Sequence, residues 1–185
     1  LEPASGPDGV IAPAKYVDSN GNATYIIEKR YMEGEENPAK VVLIDSKTSF
    51  ANRAEATTTE AMRNGEGILS KMPHIAVEYD VDDGKNVFYD NQLPHRGFDG
   101  HIRVSSYEGE STSKAEPYAN ARNSTLENLL PLFDLSPETV IFGGWDSTRS
   151  KNQLRIPSIL VGETYAVLAE QNEDPAIHRA GGRVD

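Results

Sequence analysis

An α+β fold, with helices on one face of a mostly antiparallel sheet, is the architecture this sequence predicts. Three observations carry the prediction. Short apolar, β-branched runs recur along the 185 residues, and only two stretches show helical spacing. An Asp83-Gly84 pair separates two alternating segments, which is the signature of a β-hairpin. A 37% hydrophobic share over this length is enough for one packed core. The order strand, strand, helix, hairpin, strand, helix, strand, strand closes most simply as a split βαβ, ferredoxin-like core with the hairpin and loops inserted.

The elements follow in turn. Residues 1–23 are a lead-in rich in Pro, Gly, Asp and Asn, with a turn in the SNGN stretch that ends at Asn22. Thr24 to Met32 reads as a strand, Glu33 to Pro38 as an acidic loop, and Lys40 to Asp45 (KVVLID) as a buried strand. From Ser46 to Gly65 the chain has a Ser/Thr-rich start, an Asn-Gly stop and Phe50, Ala54, Thr57 and Ala61 at helical spacing. Strands are expected at 74–80 and 85–89, joined at 81–84, and again at His101 to Ser105. Ser106 to Glu116 reads as loop, Glu116 to Phe133 as a helix that ends near Leu130, Thr139 to Trp145 as strand, and Leu154 to Ala169 as mainly strand.

Charge and composition exclude several functions. With 18 basic and 29 acidic residues the net charge is −11, which disfavours non-specific binding to nucleic acid or to anionic membranes. Cysteine is absent, so disulfides, thiol nucleophiles and cysteine metal sites are excluded. No apolar run is long enough to span a bilayer. No charged-then-apolar leader precedes Leu1, and no secretory signal is expected.

Three constellations could carry chemistry. Asp45 to Arg53 (DSKTSFANR) follows a buried strand and opens a helix. Its backbone N–H groups, serines, Lys47 and Arg53 could cradle phosphate, or Ser46 or Thr48 could simply cap the helix. Phe142 to Asn152 (FGGWDSTRSKN) holds the single tryptophan and a Gly-Gly pair. From Ile141 to Arg155 there are three bases against Asp146, a local +2 that suits base stacking and phosphate contact, against a core Trp and a solvated loop as the plain alternative. His95 and His101 with Asp99 between them match no zinc spacing, and no metal is expected there. The acids before Gly84 fail the EF-hand pattern.

Together LEPASGPDGVIAPAKY, VVLIDSKTSFANRAE, LPHRGFDGHIRVS and TVIFGGWDSTRSKNQLRIPSILVGETYAV, in this order, resemble the backbone subunit of the type I-G (formerly I-U) CRISPR surveillance complex, a RAMP-superfamily protein. The strings D-S-x-x-S-x-A-N-R and F-G-x-W-D-S-x-R are the most specific part. The resemblance implies a modified RNA-recognition-motif fold over 1–185, incomplete at the C-terminus. It implies a cytoplasmic, non-enzymatic subunit without cofactor or metal. Copies of it would line up along a CRISPR guide RNA as a helical filament, beside identical neighbours and other subunits, and would present the guide to target DNA.

Carried over residue by residue, Ser46, Lys47, Ser49, Asn52 and Arg53 are implied to face the guide backbone, and Trp145, Ser147 and Arg149 to form a second contact. Asp146 is expected to orient Arg149 or the loop. Lys151 and Arg155 are carried over as local cations. His95 and Arg96 match the family string without an assigned role. The hairpin around Gly84 is a candidate thumb, although Glu78 to Asp90 has five acids and one base. A hydrolase using Asp45 or Asp146 with His95 is the competing reading, and an acidic protein-binding module is a third.

Overall fold

The computed structural model describes Pro3, residues 6–149 and residues 153–168. The chain forms two compact units, one of residues up to Phe50 and from Gly162, the other Ala51–Val161. No helix among the described residues is long and apolar enough to cross a membrane.

In the first unit β1 (Lys15–Val17) and β2 (Ala23–Tyr25) form a hairpin. Its turn is held by the Asp18 carboxylate, which accepts from Asn20 N and Asn22 N at 2.8 Å each. β3 (Ile27–Arg30), β4 (Ala39–Asp45) and the later β11 (Thr164–Val167) make an antiparallel sheet in the order β11-β4-β3. The strand expected over 24–32 is therefore two, interrupted at Ile26, whose carbonyl still accepts from Leu43 N at 3.0 Å. The apolar run Val41-Val42-Leu43 is buried because β4 is flanked by a strand on each side. Arg30 ties the sheet edges, paired with Glu28 and Glu163 at 2.8 Å and lying over the Tyr165 ring.

Helix α1 (Lys47–Asn64) begins in the first unit and continues into the second. There follow β5 (Ala76–Val81) and β6 (Gly84–Tyr89), paired as predicted through a two-residue Asp82-Asp83 turn. Next come α2 (Gly100–Val104), a small hairpin β7 (Ser106–Tyr107) and β8 (Glu110–Ser111), then α3 (Glu116–Arg122), α4 (Leu130–Leu135), α5 (Pro137–Ile141), β9 (Gly144–Trp145) and β10 (Arg155–Ile156).

The class is α+β, and several elements differ from expectation for local reasons. The segment 101–105 is helix α2 rather than strand, because the Asp99 side chain caps it by accepting from His101 N at 2.9 Å. Phe98 and Ile102, one turn apart, are then both buried. Thr139 to Ile141 lies in α5, started by Pro137 in its first turn, and extended backbone begins only at Gly144. The helix expected over 116–133 is two, separated by a turn in which Thr125 and Asn128 pair, with Pro131 opening the second. The 106–116 loop contains β7 and β8, and the long strand expected from Leu154 is reduced to β10 and β11.

The split βαβ arrangement is only partly realised among the described residues. β11 lies antiparallel beside β4, as that topology requires, but β3 takes the other flank, and the β5–β6 hairpin pairs only with itself.

Two apolar clusters hold the second unit. Phe98, Ala121, Leu132, Leu154 and Ile156 form one, and Val77, Leu93, Ile102 and Tyr118 the other, with Leu135 packed on both. The buried Tyr118 hydroxyl donates to Gly97 O at 2.9 Å, and burial pushes its pKa up to about 12. Between them runs a buried polar spine. The Ser136 hydroxyl donates to Asp90, shares a 2.6 Å bond with Thr139, and Thr139 Oγ1 accepts from Gly97 N at 2.9 Å.

Candidate functional site

The second unit carries two clefts with a common wall. One, of about 700 Å³, runs along α1 where Asn52, Glu55, Thr59 and Arg63 recur at helical spacing opposite Asn91 and Gln92. Its floor is hydrogen bonded: Thr59 Oγ1 donates to Asn91 Oδ1 at 2.9 Å, and Arg63 donates to Gln92 Oε1 at 3.3 Å. The other, of about 350 Å³, is lined by Pro94, His95, Arg96, Phe142–Trp145, Arg155, Ile156 and Ser158. That lining contains two arginines, a histidine and the single tryptophan, and no carboxylate.

The common wall is the ion pair of Glu55 and Arg96. Arg96 meets both carboxylate oxygens, through Nε and through Nη2 at 2.9 Å, and donates from Nη1 to Gly143 O at 3.0 Å. Its guanidinium also lies 5.9 Å from the centre of the Phe142 ring. The pair is mostly buried, with side-chain exposures of 19% for Arg96 and 6% for Glu55. Arg96 has φ +46°, a left-handed conformation that costs a non-glycine residue about 1–2 kcal/mol. Three anchors on one side chain offset that strain.

Trp145 and Arg155 face each other across the β9–β10 ladder. The register puts the Arg155 guanidinium 4.3 Å from the Trp145 ring centre, and Trp145 Nε1 donates to Gln153 Oε1 at 3.4 Å. Trp145 remains 39% exposed, an amphipathic plate rather than a core residue.

Gly143 makes the close approach possible. It has φ +86°, and a Cβ there would stand 2.7 Å from Ile156 O. Gly143→Ala is expected to lose about 2 kcal/mol or more of stability, as strain and backbone clash combine. Urea unfolding followed by tryptophan emission measures it, and a change within a few tenths of a kcal/mol would contradict the assigned geometry.

Asp146 organises the loop beyond, as expected from sequence. Its carboxylate, with no solvent exposure, accepts from Arg122 Nε at 2.9 Å, Arg149 Nε at 3.3 Å and Thr148 Oγ1 at 2.7 Å. Burial alone would raise its pKa, but these bonds outweigh burial and hold it below the usual carboxylate range. Arg149 also donates to Ser124 O at 3.2 Å. Asp99 likewise is raised by burial and lowered further by bonds from His101 N, His101 Nδ1 and His95 N, and it caps α2.

The other sequence-nominated residues are distributed as follows. Ser46, Lys47 and Ser49 belong to the first unit. The Ser46 hydroxyl accepts from Ser49 N at 3.2 Å, so it caps α1. Lys47 is exposed, and Asn52 and Arg53 are exposed on α1 within the second unit, Asn52 on the first cleft. Ser147 is exposed on the loop, with its carbonyl accepting from Gln153 at 3.4 Å. Lys151 lies outside the described residues. Sequence alone assigns Arg96 no role. Its one local signal is a bulky cation directly before a glycine in LPHRGFDG, and nothing there announces Glu55, 41 residues earlier, as its partner.

Compared with known proteins, residues 1–171 match the model of a family described as CRISPR-associated protein GSU0053. No curated protein and no solved structure matches.

Proposed function

Because the chain belongs to the CRISPR-associated protein GSU0053 family, we propose that it works within a CRISPR system as a non-enzymatic backbone subunit that grips guide RNA through the Trp145–Arg155 cleft. The observation that carries this reading is the acid-free lining of that cleft in a chain of net charge −11. A stacked Trp–Arg plate offers a π face to any base and a cation to the adjoining phosphate, so contact needs no particular sequence. Asn52, on the neighbouring cleft across the Glu55–Arg96 wall, offers an amide to a sugar hydroxyl or phosphate farther along the strand. Lys47, Ser49 and Arg53 extend the polar start of α1, and Ser147 the Trp145 loop.

Arg149 and Ser46 act mainly by building the site, since one is fastened to Asp146 and the other caps α1. The acid-rich β5–β6 hairpin, with Glu78 paired to Lys85, suits a protein neighbour better than phosphate. Weak binding by each copy suffices when many copies sit side by side on one strand. Other subunits of the assembly and target DNA paired to the guide complete this reading, whose setting is the cytoplasm.

The test is RNA retention. Trp145→Ala with Arg155→Ala is expected to weaken guide binding roughly 5- to 150-fold, by loss of one stacking contact, and to flatten the salt dependence. Native mass spectrometry of the purified complex, with salt titration, reads both. Full RNA content at the wild-type salt slope would reject the cleft as the contact.

A further inference from the structure

Strand β5 has one paired edge and one open edge. Among the described residues it pairs only with β6. In the same register, Ile75 O accepts from Asp90 N at 2.9 Å. Hydrogen-bonded pairs recur at every second residue of an antiparallel ladder. The backbone groups of Val77 and Tyr79 therefore turn towards β6, and those of Ala76, Glu78 and Asp80 towards the open edge. A cleft of about 670 Å³ runs along that edge. Every residue from Ala76 to Asp80 lines it, although successive side chains of a strand lie on opposite faces, so the cleft follows the edge and not one face. Its far wall is α2 and the chain entering β7, with His101 and Val104 among the lining residues.

The two faces that meet at this edge differ in chemistry. Ala76, Glu78 and Asp80 lie on the exposed face. Glu78 is paired with Lys85 at 2.6 Å, yet its side chain stays 56% exposed. The Asp82-Asp83 turn and, on the adjoining β7–β8 hairpin, Glu108 and Glu110 add exposed acids. The other face packs on α2, since Val77 and Ile102 share one apolar cluster and Tyr79 stands edge-on to the His101 ring. On that side Val104 is left 85% exposed. An open strand edge is a template for another strand, and charges beside it decide which strands it accepts.

We propose that the β5 edge docks an extended basic segment of a partner protein, which joins the hairpin as a third strand. The main chain of the segment exchanges hydrogen bonds with Ala76, Glu78 and Asp80. Lys or Arg at its alternate positions meets Glu78 and Asp80 on the exposed face, and the apolar residues between them cover Val104 on the other. The acids disfavour phosphate at the same edge. This docking goes beyond guide binding and uses no residue of the Trp145–Arg155 cleft.

The probe is a fluorescein-labelled seven-residue peptide in which Lys and Val alternate, added to the full chain without RNA. Fluorescence anisotropy is expected to show saturable binding. Amide hydrogen exchange followed by NMR is expected to slow at Ala76, Glu78 and Asp80 but not at Val77 and Tyr79, whose N–H groups β6 already holds. A peptide with Glu in place of Lys should not bind, nor one of the same composition with its Lys and Val in separate blocks. Glu78→Gln with Asp80→Asn is expected to weaken binding roughly 2- to 30-fold, the loss of two cross-strand ion pairs. No binding of the Lys–Val peptide would show that the acids merely guard the edge, and it overturns the proposal. Equal binding of either control peptide, full affinity in the double variant, or protection without the every-second-residue pattern also overturns it. If the variant does not fold by far-UV circular dichroism, the wild-type binding and exchange measurements decide alone. No nucleic acid enters the measurement, so its failure and the failure of the RNA-binding reading are separate outcomes.

Discussion

Replacing Glu55 by alanine is expected to lower stability by about 3–5 kcal/mol, because it strands the mostly buried Arg96 guanidinium without its two-point partner. The loss exceeds that of a surface ion pair, which is worth about 0–1 kcal/mol. Variants at position 96 isolate the backbone strain. Arg96→Gly and Arg96→Ala both leave the buried Glu55 carboxylate without its partner, but glycine relieves the left-handed strain and alanine keeps it. Arg96→Gly should therefore be the less damaging of the two, by about 1 kcal/mol. Urea unfolding monitored at Trp145 gives all three values. A loss below 1 kcal/mol for Glu55→Ala would mean that the clasp is solvated and does not bear on the clefts.

The second large effect is the dependence of stability on pH. Glu138 has a folded pKa raised from 4.5 to about 7, so the native state binds the extra proton. The stability this contributes is complete below about pH 4.5 and is lost as pH rises through about 7. The full change is of order 3 kcal/mol, and burial raises Asp90 in the same sense. Asp99 and Asp146 act oppositely: their lowered values contribute stability above the ordinary carboxylate pKa, which is lost as pH falls through their folded values. Stability should therefore peak between the titration of these two acids and that of Glu138. In Glu138→Gln the decline towards neutral pH should shrink sharply, making the variant more stable than wild type at pH 8. A variant that tracks the wild-type curve would show that Glu138 ionises freely in the folded protein.

How much of this was legible in the sequence depended on the range of the interactions. Strand β4, helix α1 and the β5–β6 hairpin are governed by local signals: a β-branched run, a Ser46 cap with an Asn-Gly stop, and an Asp82-Asp83 turn followed by Gly84. Segments 101–105 and 139–141 misled because their alternating apolar residues suit either state. A single cap, Asp99, and a single proline, Pro137, decided for helix. In the site, the role of Asp146 in orienting Arg149 was visible within one motif, whereas the stacking of Arg155 on Trp145 comes from the β9–β10 register and not from the motif. The Glu55–Arg96 clasp and the approach of Asp90 to Glu138 join residues more than 40 positions apart, and no local pattern encodes such pairings.

The sheet order β11-β4-β3 also affects how the chain is made. β3 and β4 leave the ribosome before β11, the strand that covers the other side of β4, which is synthesised about 120 residues later. At ordinary translation speeds this leaves one flank of a Val-Val-Leu strand open for roughly ten seconds. On a polysome, where nascent copies are close together, that open edge is an invitation to strand exchange between chains. Folding of residues 51–161 in the interval, as an independent body, would leave β4 waiting only for its last partner.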